Sequence, residues 1–320
     1  MEWAFPSNLQ PDPKALGFDL DRALNAMVQV RVEIPEDAFT AQILGTERIG
    51  SGAVIREDGL LLTIGYLITE ASSIWLTTRA GEVMAGHPLA YDQATGLGLV
   101  QPLGRLGLPA LERGSAASVE VGDPVVVAGH GGQGHALQAT LADKREFAGY
   151  WEYVLDEALF TTPGHPQWGG TAALDAMGRL VGIGSLYVQE KLGPDATEGN
   201  MVVPIDVLEP IFDDLLATGR SRLPVRPWLG MYTTEVDNHL VVAGLAERAP
   251  AAVAGVRVSD IILEVAGERP TGLADLFRRI WSLGAAGVEV PLAVSRRGSR
   301  IELRLKSADR GDFLKKPSLH

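Results

Sequence analysis

Residues 50–63 read GSGAVIREDGLLLT: a short apolar run, an acidic turn at Glu57-Asp58-Gly59 and a second apolar run. Runs of about 4–8 apolar residues between glycine or acidic turns indicate β-strands. The same rhythm recurs on both sides of this stretch, over residues 27–34, 73–78, 124–128, 137–141, 179–183 and 200–204. Because little helical periodicity interrupts it, the first two thirds of the chain are predicted to form an all-β barrel or sandwich.

Size and composition agree with a β-rich protein of two domains. The chain has 320 residues, of which 46% are hydrophobic and 21% are charged, and these are ordinary values for a globular protein. At roughly 150 residues per domain, the length suggests two domains. The 37 glycines favour a turn-rich β architecture over a helical bundle.

The charge is unevenly distributed. Residues 1–223 carry 14 basic and 29 acidic side chains, whereas residues 224–308 carry 11 and 9. An acidic first part offers no basic face to phosphates, so nucleic acid is excluded as a partner. The absence of cysteine excludes disulfides, thiolate catalysis and cysteine-ligated zinc, and we predict no cofactor and no metal.

The sequence shows no membrane or export signal. The first 14 residues, MEWAFPSNLQPDPK, have no basic region and no apolar run of a signal peptide. No stretch approaches the roughly 18 apolar residues that a membrane span needs. A cytoplasmic location is therefore expected, or a periplasmic one if a leader has been removed.

The spacing of apolar residues changes after residue 204. Apolar residues at helical spacing predict a helix over Ile205–Ala217, and the two prolines of residues 220–227 mark a linker. Beyond it, strands are predicted at 228–232, 240–244 and 260–265, helices at 249–254 and 273–283, and a closing hairpin at 288–305. This is the pattern of a small α+β domain.

The order of these elements resembles the HtrA/Deg family of serine proteases. Three segments carry the resemblance: residues 50–63, VGDPVVVAG at 121–129 and MVVPI at 201–205. It implies a mainly β fold, a chymotrypsin-like double six-stranded β-barrel followed by a small α+β PDZ domain. The implied parts are an N-terminal arm (1–22), a trypsin-like protease-fold domain (23–219), a linker (220–227), a PDZ domain (228–307) and a C-terminal tail (308–320).

The catalytic positions implied by the resemblance hold other residues. Tyr66 stands where the family has its histidine, and Gly96 stands where it has its aspartate. In the nucleophile loop, PGHPQWGG at residues 163–170, Trp168 takes the serine position. Pro166 replaces a glycine whose N–H helps to form the oxyanion hole, and proline has no such donor.

These replacements predict a chain that is not an enzyme. A serine hydroxyl needs an imidazole to accept its proton and a carboxylate to orient that imidazole. Loss of one triad member costs about 10⁴- to 10⁶-fold in rate. A phenol is a poor base at neutral pH, and an indole has no nucleophilic lone pair.

Three other interpretations of these residues stay open. His165 is a candidate base for a rewired hydrolase, with Ser51 or Thr171 as nucleophile. His130 and His135 are a weak candidate for a metal pair, since two ligands do not close a site. Large aromatic side chains at the former triad positions either fill an emptied cleft or offer a platform to a partner chain.

The predicted PDZ domain keeps its binding features. Trp228, Leu229, Gly230 and Met231 resemble the loop whose N–H groups hold a peptide's terminal carboxylate. A peptide is expected to add as a strand beside residues 231–235. The residues predicted to line the pocket for its last side chain are Leu273, Phe277 and Ile280. Arg226 is expected to attract the carboxylate.

The sequence thus predicts a non-catalytic HtrA-like scaffold or accessory subunit. It would bind C-terminal or internal extended peptides of proteins through its PDZ domain. The resemblance also implies a homo-oligomer, a trimer, or membership in a larger complex, with Trp3 and Phe5 as anchors of the arm. The alternatives are a serine-type endopeptidase with an unorthodox site and a holdase-type chaperone.

Overall fold

The computed structural model describes residues 3–192 and 196–316, and they form two compact units. Of these residues, unit 1 contains 3–145, 157–192, 196–222 and 315–316, and unit 2 contains 146–156 and 223–314. Unit 2 therefore includes an 11-residue segment that the predicted boundaries place in the protease-fold domain. Residues 308–314, assigned to the tail from the sequence, also lie in unit 2. The last four residues of that tail, 317–320, lie outside the described residues.

Two closed six-stranded barrels form the body of unit 1. The strands of the first are β1 (Met27–Glu33), β2 (Glu47–Val54), β3 (Leu61–Ile64), β4 (Ser73–Thr77), β5 (Val83–Tyr91) and β6 (Leu97–Pro102). The strands of the second are β7 (Pro124–Ala128), β8 (Ala136–Gly149), β9 (Tyr153–Thr162), β10 (Ala172–Leu174), β11 (Leu180–Val188) and β12 (Gly199–Pro204). The mainly β, double-barrel prediction is confirmed, and the quoted stretch forms β2, its turn and β3.

Short helices connect the strands of unit 1. They are α1 (Leu20–Asn25), α2 (Ala41–Leu44), α3 (Gly65–Ile68) and α4 (Phe212–Thr218). The helix predicted over 205–217 is wrong in its first half, where Ile205–Val207 and Glu209–Ile211 form separate 3₁₀ turns. Pro210 explains the break, because proline has no N–H for the helical ladder.

Unit 2 is a five-stranded antiparallel sheet with two helices. Its elements are β13 (Met231–Val236), β14 (His239–Leu245), α5 (Pro250–Val253), β15 (Ile261–Val265), α6 (Leu273–Ser282), β16 (Glu289–Arg296) and β17 (Ser299–Lys306). The first strand begins three residues later than predicted. Trp228 instead exchanges two backbone hydrogen bonds with Ala308, and its ring packs against Phe313. In the described ranges, no helix has the length and apolar character needed to cross a membrane.

Candidate functional site

The structure brings the three predicted triad positions together in unit 1. The carbonyl oxygen of Gly96 accepts the N–H of Gly65, the residue before Tyr66, at 2.7 Å. The Tyr66 hydroxyl in turn lies beside Gly169, the residue after Trp168, 2.9 Å from where a Cβ would stand. The three positions thus lie near one another, and their assignment as former triad positions stays a prediction.

Tyr66 is built into this neighbourhood as a hydrogen-bond donor. Its hydroxyl donates to the carbonyl oxygen of Ser185 at 2.9 Å. Burial raises the pKa of Tyr66 well above its usual range, while a hydrogen bond from Trp168 acts in the opposite direction. Because the phenol keeps its proton, it has no basic oxygen to offer a substrate. Trp168 is half-buried, with its ring 5.8 Å from that of Tyr187.

His165 is fully buried, and both of its ring nitrogens are occupied. Nδ1 accepts the N–H of Gln167 at 3.1 Å, and Nε2 donates to the carbonyl oxygen of His135 at 3.0 Å. Burial lowers the pKa of His165 to about 4, so the ring is neutral. His165 therefore lacks the free nitrogen that a rewired hydrolase would use as its base. Pro166, the next residue, is exposed.

The N-terminal arm packs against this loop region within unit 1. The ring of Trp3 lies 4.4 Å from that of His135 and 5.7 Å from that of His165. Phe5 contacts His165 at 5.1 Å, and its N–H donates to the carbonyl oxygen of Gly134. The two predicted anchors of the arm thus contact the chain's own second barrel. This arrangement leaves the predicted trimer untested.

A different serine–histidine pair lies between the two barrels of unit 1. The Oγ of Ser51, on β2, lies 3.0 Å from Nδ1 of His130 and accepts the backbone N–H of His130. The side-chain amide of Gln29 lies 3.0 Å from Nε2 of the same ring. Gln29 is directly opposite Ser51 in the β1–β2 ladder, so both side chains point to one face of the sheet.

The surroundings of Ser51 are tight. Its side chain is buried, its N–H donates to the carbonyl oxygen of Gly169, and its carbonyl oxygen accepts the hydroxyl of Thr63. Gly170 has φ +79°, and a Cβ there would lie 1.8 Å from the Ser51 oxygen. Only glycine permits this approach of the two segments.

Unit 2 contains a second candidate site, which we call the carboxylate loop (residues 228–231). The N–H groups of Leu229 and Met231 donate to the carboxylate oxygens of Glu152 at 3.0–3.2 Å. Gly230, between them, has φ +69°, and a Cβ on it would lie 2.2 Å from that of Ala249. Two N–H groups of this loop therefore converge on one carboxylate, and its use for a peptide's terminal carboxylate stays a prediction.

Glu152 is the functional residue that the sequence did not reveal. It lies in the segment between β8 and β9, within the aromatic run Tyr150-Trp151-Glu152-Tyr153, and it is buried. Burial raises its pKa to about 7, although hydrogen bonds from Met231, Leu229 and Gly230 oppose that rise. The only signal in the sequence was an acidic residue among aromatic residues, which does not specify a partner 77 residues away.

The predicted pocket residues lie beside this loop. Phe277 and Ile280 are fully buried in one apolar cluster with Leu229 and Met231, and Leu273 packs against it. Val154, two residues beyond Glu152, belongs to the same cluster. Arg226, predicted to attract the carboxylate, instead lies over the ring of Trp281, with its guanidinium carbon 4.1 Å from the ring centre.

Comparison with known proteins shows which proteins this chain is similar to. Residues 50–183 match the trypsin-like peptidase domain. The serine endoprotease DegS of Haemophilus influenzae is 25% identical over 230 residues, which cover 69% of this chain and 66% of that protein. This chain is a homologue of the HtrA-type serine endoproteases. A probable periplasmic DegP-like endoprotease of Pseudomonas putida is 26% identical over 80% of this chain and 55% of its own length.

Solved HtrA structures share the fold. The HtrA-type protease AlgW with a decapeptide has a TM-score of 0.55 and 19% identity, covering 93% of this chain and 98% of that one. A serine endoprotease of Yersinia pestis has a TM-score of 0.52 and 20% identity, covering 90% and 95%. The chain spans between about half and two thirds of the length of the DegS and DegP-like relatives.

The prediction that this chain is not an enzyme is wrong. Its HtrA-type relatives are named serine endoproteases, and its barrels have the fold of HtrA proteases, so the likeness points to an enzyme. That prediction rested on the residues at positions 66, 96, 166 and 168, and the alternative hydrolase paired Ser51 or Thr171 with His165. Neither paired Ser51 with His130, because residues 79 positions apart meet only after both barrels have formed.

Proposed function

We propose that this protein is a serine-type endopeptidase of the HtrA class that recognises protein chains by their free carboxyl ends. The reaction class rests on the named activity of its relatives. Recognition rests on one observation in unit 2: the N–H groups of Leu229 and Met231 point at a single carboxylate. Such a concavity of backbone donors binds a terminal carboxylate, while an extended peptide adds to the neighbouring strand.

Binding titrations test this recognition. Fluorescent ten-residue peptides ending in valine are added to the full chain, as free acids and as C-terminal amides. The free acid is expected to bind and the amide is not, because only the acid supplies two anionic oxygens to the loop. Equal affinities of acid and amide contradict the proposal.

The residues proposed for the chemical step are Ser51 as nucleophile and His130 as its base. Their 3.0 Å contact supports this assignment, since nucleophile and base must be within hydrogen-bond reach. The Gln29 atom that faces Nε2 is the amide nitrogen. In the reactive tautomer Ser51 donates to Nδ1 and Nε2 carries the proton, so this tautomer requires the Gln29 amide to turn its oxygen towards the ring. Gln29 then orients the ring but carries no charge to stabilise the imidazolium.

Slow turnover is expected from this arrangement. Replacing the triad carboxylate by an amide costs about 10⁴-fold in a standard serine protease. In addition, Ser51 is buried, so it must become exposed before a peptide bond can reach Oγ. The expected activity is therefore a slow, opening-dependent cleavage of unfolded protein.

Active-site labelling tests the catalytic pair. A fluorophosphonate probe is applied to the wild type, to Ser51→Ala, and to Ser185→Ala, a matched buried serine of unit 1. Labelling is expected in the wild type and in Ser185→Ala, and is expected to vanish in Ser51→Ala. A wild type that neither reacts with the probe nor digests unfolded protein excludes the proposed chemistry.

A further inference from the structure

The carboxylate loop of unit 2 already holds a carboxylate of its own chain. We propose that residues 146–156, the internal-ligand segment, act as a built-in competitor that occupies the peptide site until a protein C-terminus displaces them. The inference rests on the proposed recognition of carboxyl ends by the same loop. Three independent contacts of the segment carry it.

The first contact is the carboxylate itself. Both oxygens of Glu152 accept an N–H of Leu229, and one of them also accepts the N–H of Met231. The group is buried, so no water competes for these donors. A terminal carboxylate in the same place would use the same N–H groups, and therefore the two carboxylates exclude each other.

The second contact follows the backbone. The carbonyl oxygen of Tyr150, two residues before Glu152, accepts the N–H of Thr233 on β13 at 3.1 Å. An added strand makes its hydrogen bonds with alternate residues of the strand beside it. The segment therefore lies along β13 where an incoming peptide would lie.

The third contact is apolar. Val154 is 5% exposed and lies in the cluster that contains Phe277 and Ile280. Together, a buried aliphatic side chain and a carboxylate in the loop reproduce the two features of a C-terminal aliphatic residue. This likeness points to a protein chain ending in a residue such as valine as the displacing ligand.

The backbone conformation and the ion pairs of the internal-ligand segment allow it to be released. Glu152 has φ +64°, a backbone conformation that is unfavourable for a residue with a side chain. The two ends of the segment are attached to α6 by ion pairs from Arg278 to Glu146 and to Asp156. These pairs are exposed and therefore weak and sensitive to salt.

The outer part of the groove is open. A cavity of about 600 Å³ lies between β13 and the start of α6, lined by Thr234, Glu235, Leu273 and Arg278 among others. The upstream residues of a peptide can occupy this space while residue 152 is still bound. Displacement can then proceed along β13 towards the carboxylate loop.

The test compares the affinity of one peptide for three forms of the full chain. The probe is the free-acid peptide ending in valine, and the forms are the wild type, Glu152→Ala and Glu247→Ala, an exposed glutamate of unit 2. A segment bound for about 90–99% of the time weakens the apparent affinity about 10- to 100-fold. We therefore expect Glu152→Ala to bind at least about 10-fold more tightly than the wild type, and Glu247→Ala to match the wild type.

The possible outcomes distinguish failure of the internal-ligand proposal from failure of the proposed recognition of carboxyl ends. Carboxylate-dependent binding that is equal in wild type and Glu152→Ala overturns the inference and leaves the proposed recognition standing. Absence of free-acid binding in both forms overturns the recognition and with it the inference. If Glu152→Ala does not fold, Arg278→Ala decides, because it loosens the segment without touching the carboxylate loop. It is expected to bind about 2- to 5-fold more tightly, and unchanged affinity overturns the inference.

Discussion

The side-chain amide of Gln29 lies 3.0 Å from Nε2 of His130, on the ring edge opposite the nitrogen that contacts Ser51. A serine protease places a carboxylate at the corresponding edge of its imidazole, where the negative charge stabilises the imidazolium formed during acylation. Here an uncharged amide has that position. If Ser51 is the nucleophile, the charge of the side chain at position 29 should therefore control the rate of cleavage.

Replacing Gln29 by glutamate supplies the missing charge. Gln29→Glu is expected to increase the cleavage of denatured, fluorescently labelled casein at least about 10-fold, because a carboxylate favours protonation of His130. The control is Gln138→Glu, which places the same charge on a half-buried position of β8. Equal rates for wild type and Gln29→Glu, with circular dichroism showing both folded, contradict the role given to His130.

Tyr66 is expected to matter for stability and not for cleavage. Tyr66→Phe removes the hydroxyl that donates to the Ser185 carbonyl oxygen and leaves that oxygen without this donor. The expected loss is about 1–2 kcal/mol in the free energy of unfolding of unit 1, measured by urea denaturation. The rate of casein cleavage should be unchanged, and its loss in a folded Tyr66→Phe protein would show that the phenol takes part in the chemistry.

Gly230 should be required for the shape of the carboxylate loop. Gly230→Ala combines a positive φ with a Cβ placed 2.2 Å from that of Ala249, so it is expected to destabilise unit 2 by about 2–4 kcal/mol. Gly255→Ala is the matched control, since its φ is +89° but no atom lies within 4 Å of the added Cβ. It should cost about 1–2 kcal/mol from backbone strain alone. Equal losses in the free energy of unfolding, measured by urea denaturation, would show that the structure around Ala249 adjusts to the added Cβ without cost.

Local patterns in the sequence predicted most of the fold. The run of residues 50–63 became β2, its turn and β3, because alternation and turn residues are encoded within a few positions. Gly230 could likewise be assigned to a loop of N–H donors, since that loop needs a backbone conformation that glycine adopts without a Cβ clash. Pro210 was the exception, because apolar spacing alone does not reveal a missing backbone donor.

The contacts that define the candidate sites could not be predicted in the same way. Ser51 and His130 are 79 residues apart, and Glu152 and Leu229 are 77 residues apart. Neither pair has a local pattern, because each forms only when separate elements fold against each other. The triad positions showed where the family's site lies, but they did not show which other side chains meet there.

The affinity of unit 2 for peptides should depend on pH through Glu152. Its pKa is about 7 in the bound segment and close to 4.5 when the side chain is released into water. Between these values the bound segment holds a proton that the released one has lost, so a rising pH favours release. The affinity of free-acid peptides for the wild type, divided by their affinity for Glu152→Ala, is therefore expected to be higher at pH 7.5 than at pH 5.

The variant Glu152→Ala isolates this effect, because the peptide's own carboxylate is buried by the same loop in both proteins, whereas only the wild type must also release Glu152. Arg310 and Tyr232 are the other groups that face Glu152, and the pKa of Tyr232 is raised, mainly by burial, so its hydroxyl stays neutral. His165 in unit 1 has the opposite sign: its pKa of about 4 makes unit 1 less stable as the pH falls below about 6.5. For this reason the measurement is peptide affinity or the hydrogen exchange of the Leu229 and Met231 amides, and not global unfolding. A ratio of wild-type to Glu152→Ala affinity that is constant from pH 5 to pH 7.5 excludes control by Glu152.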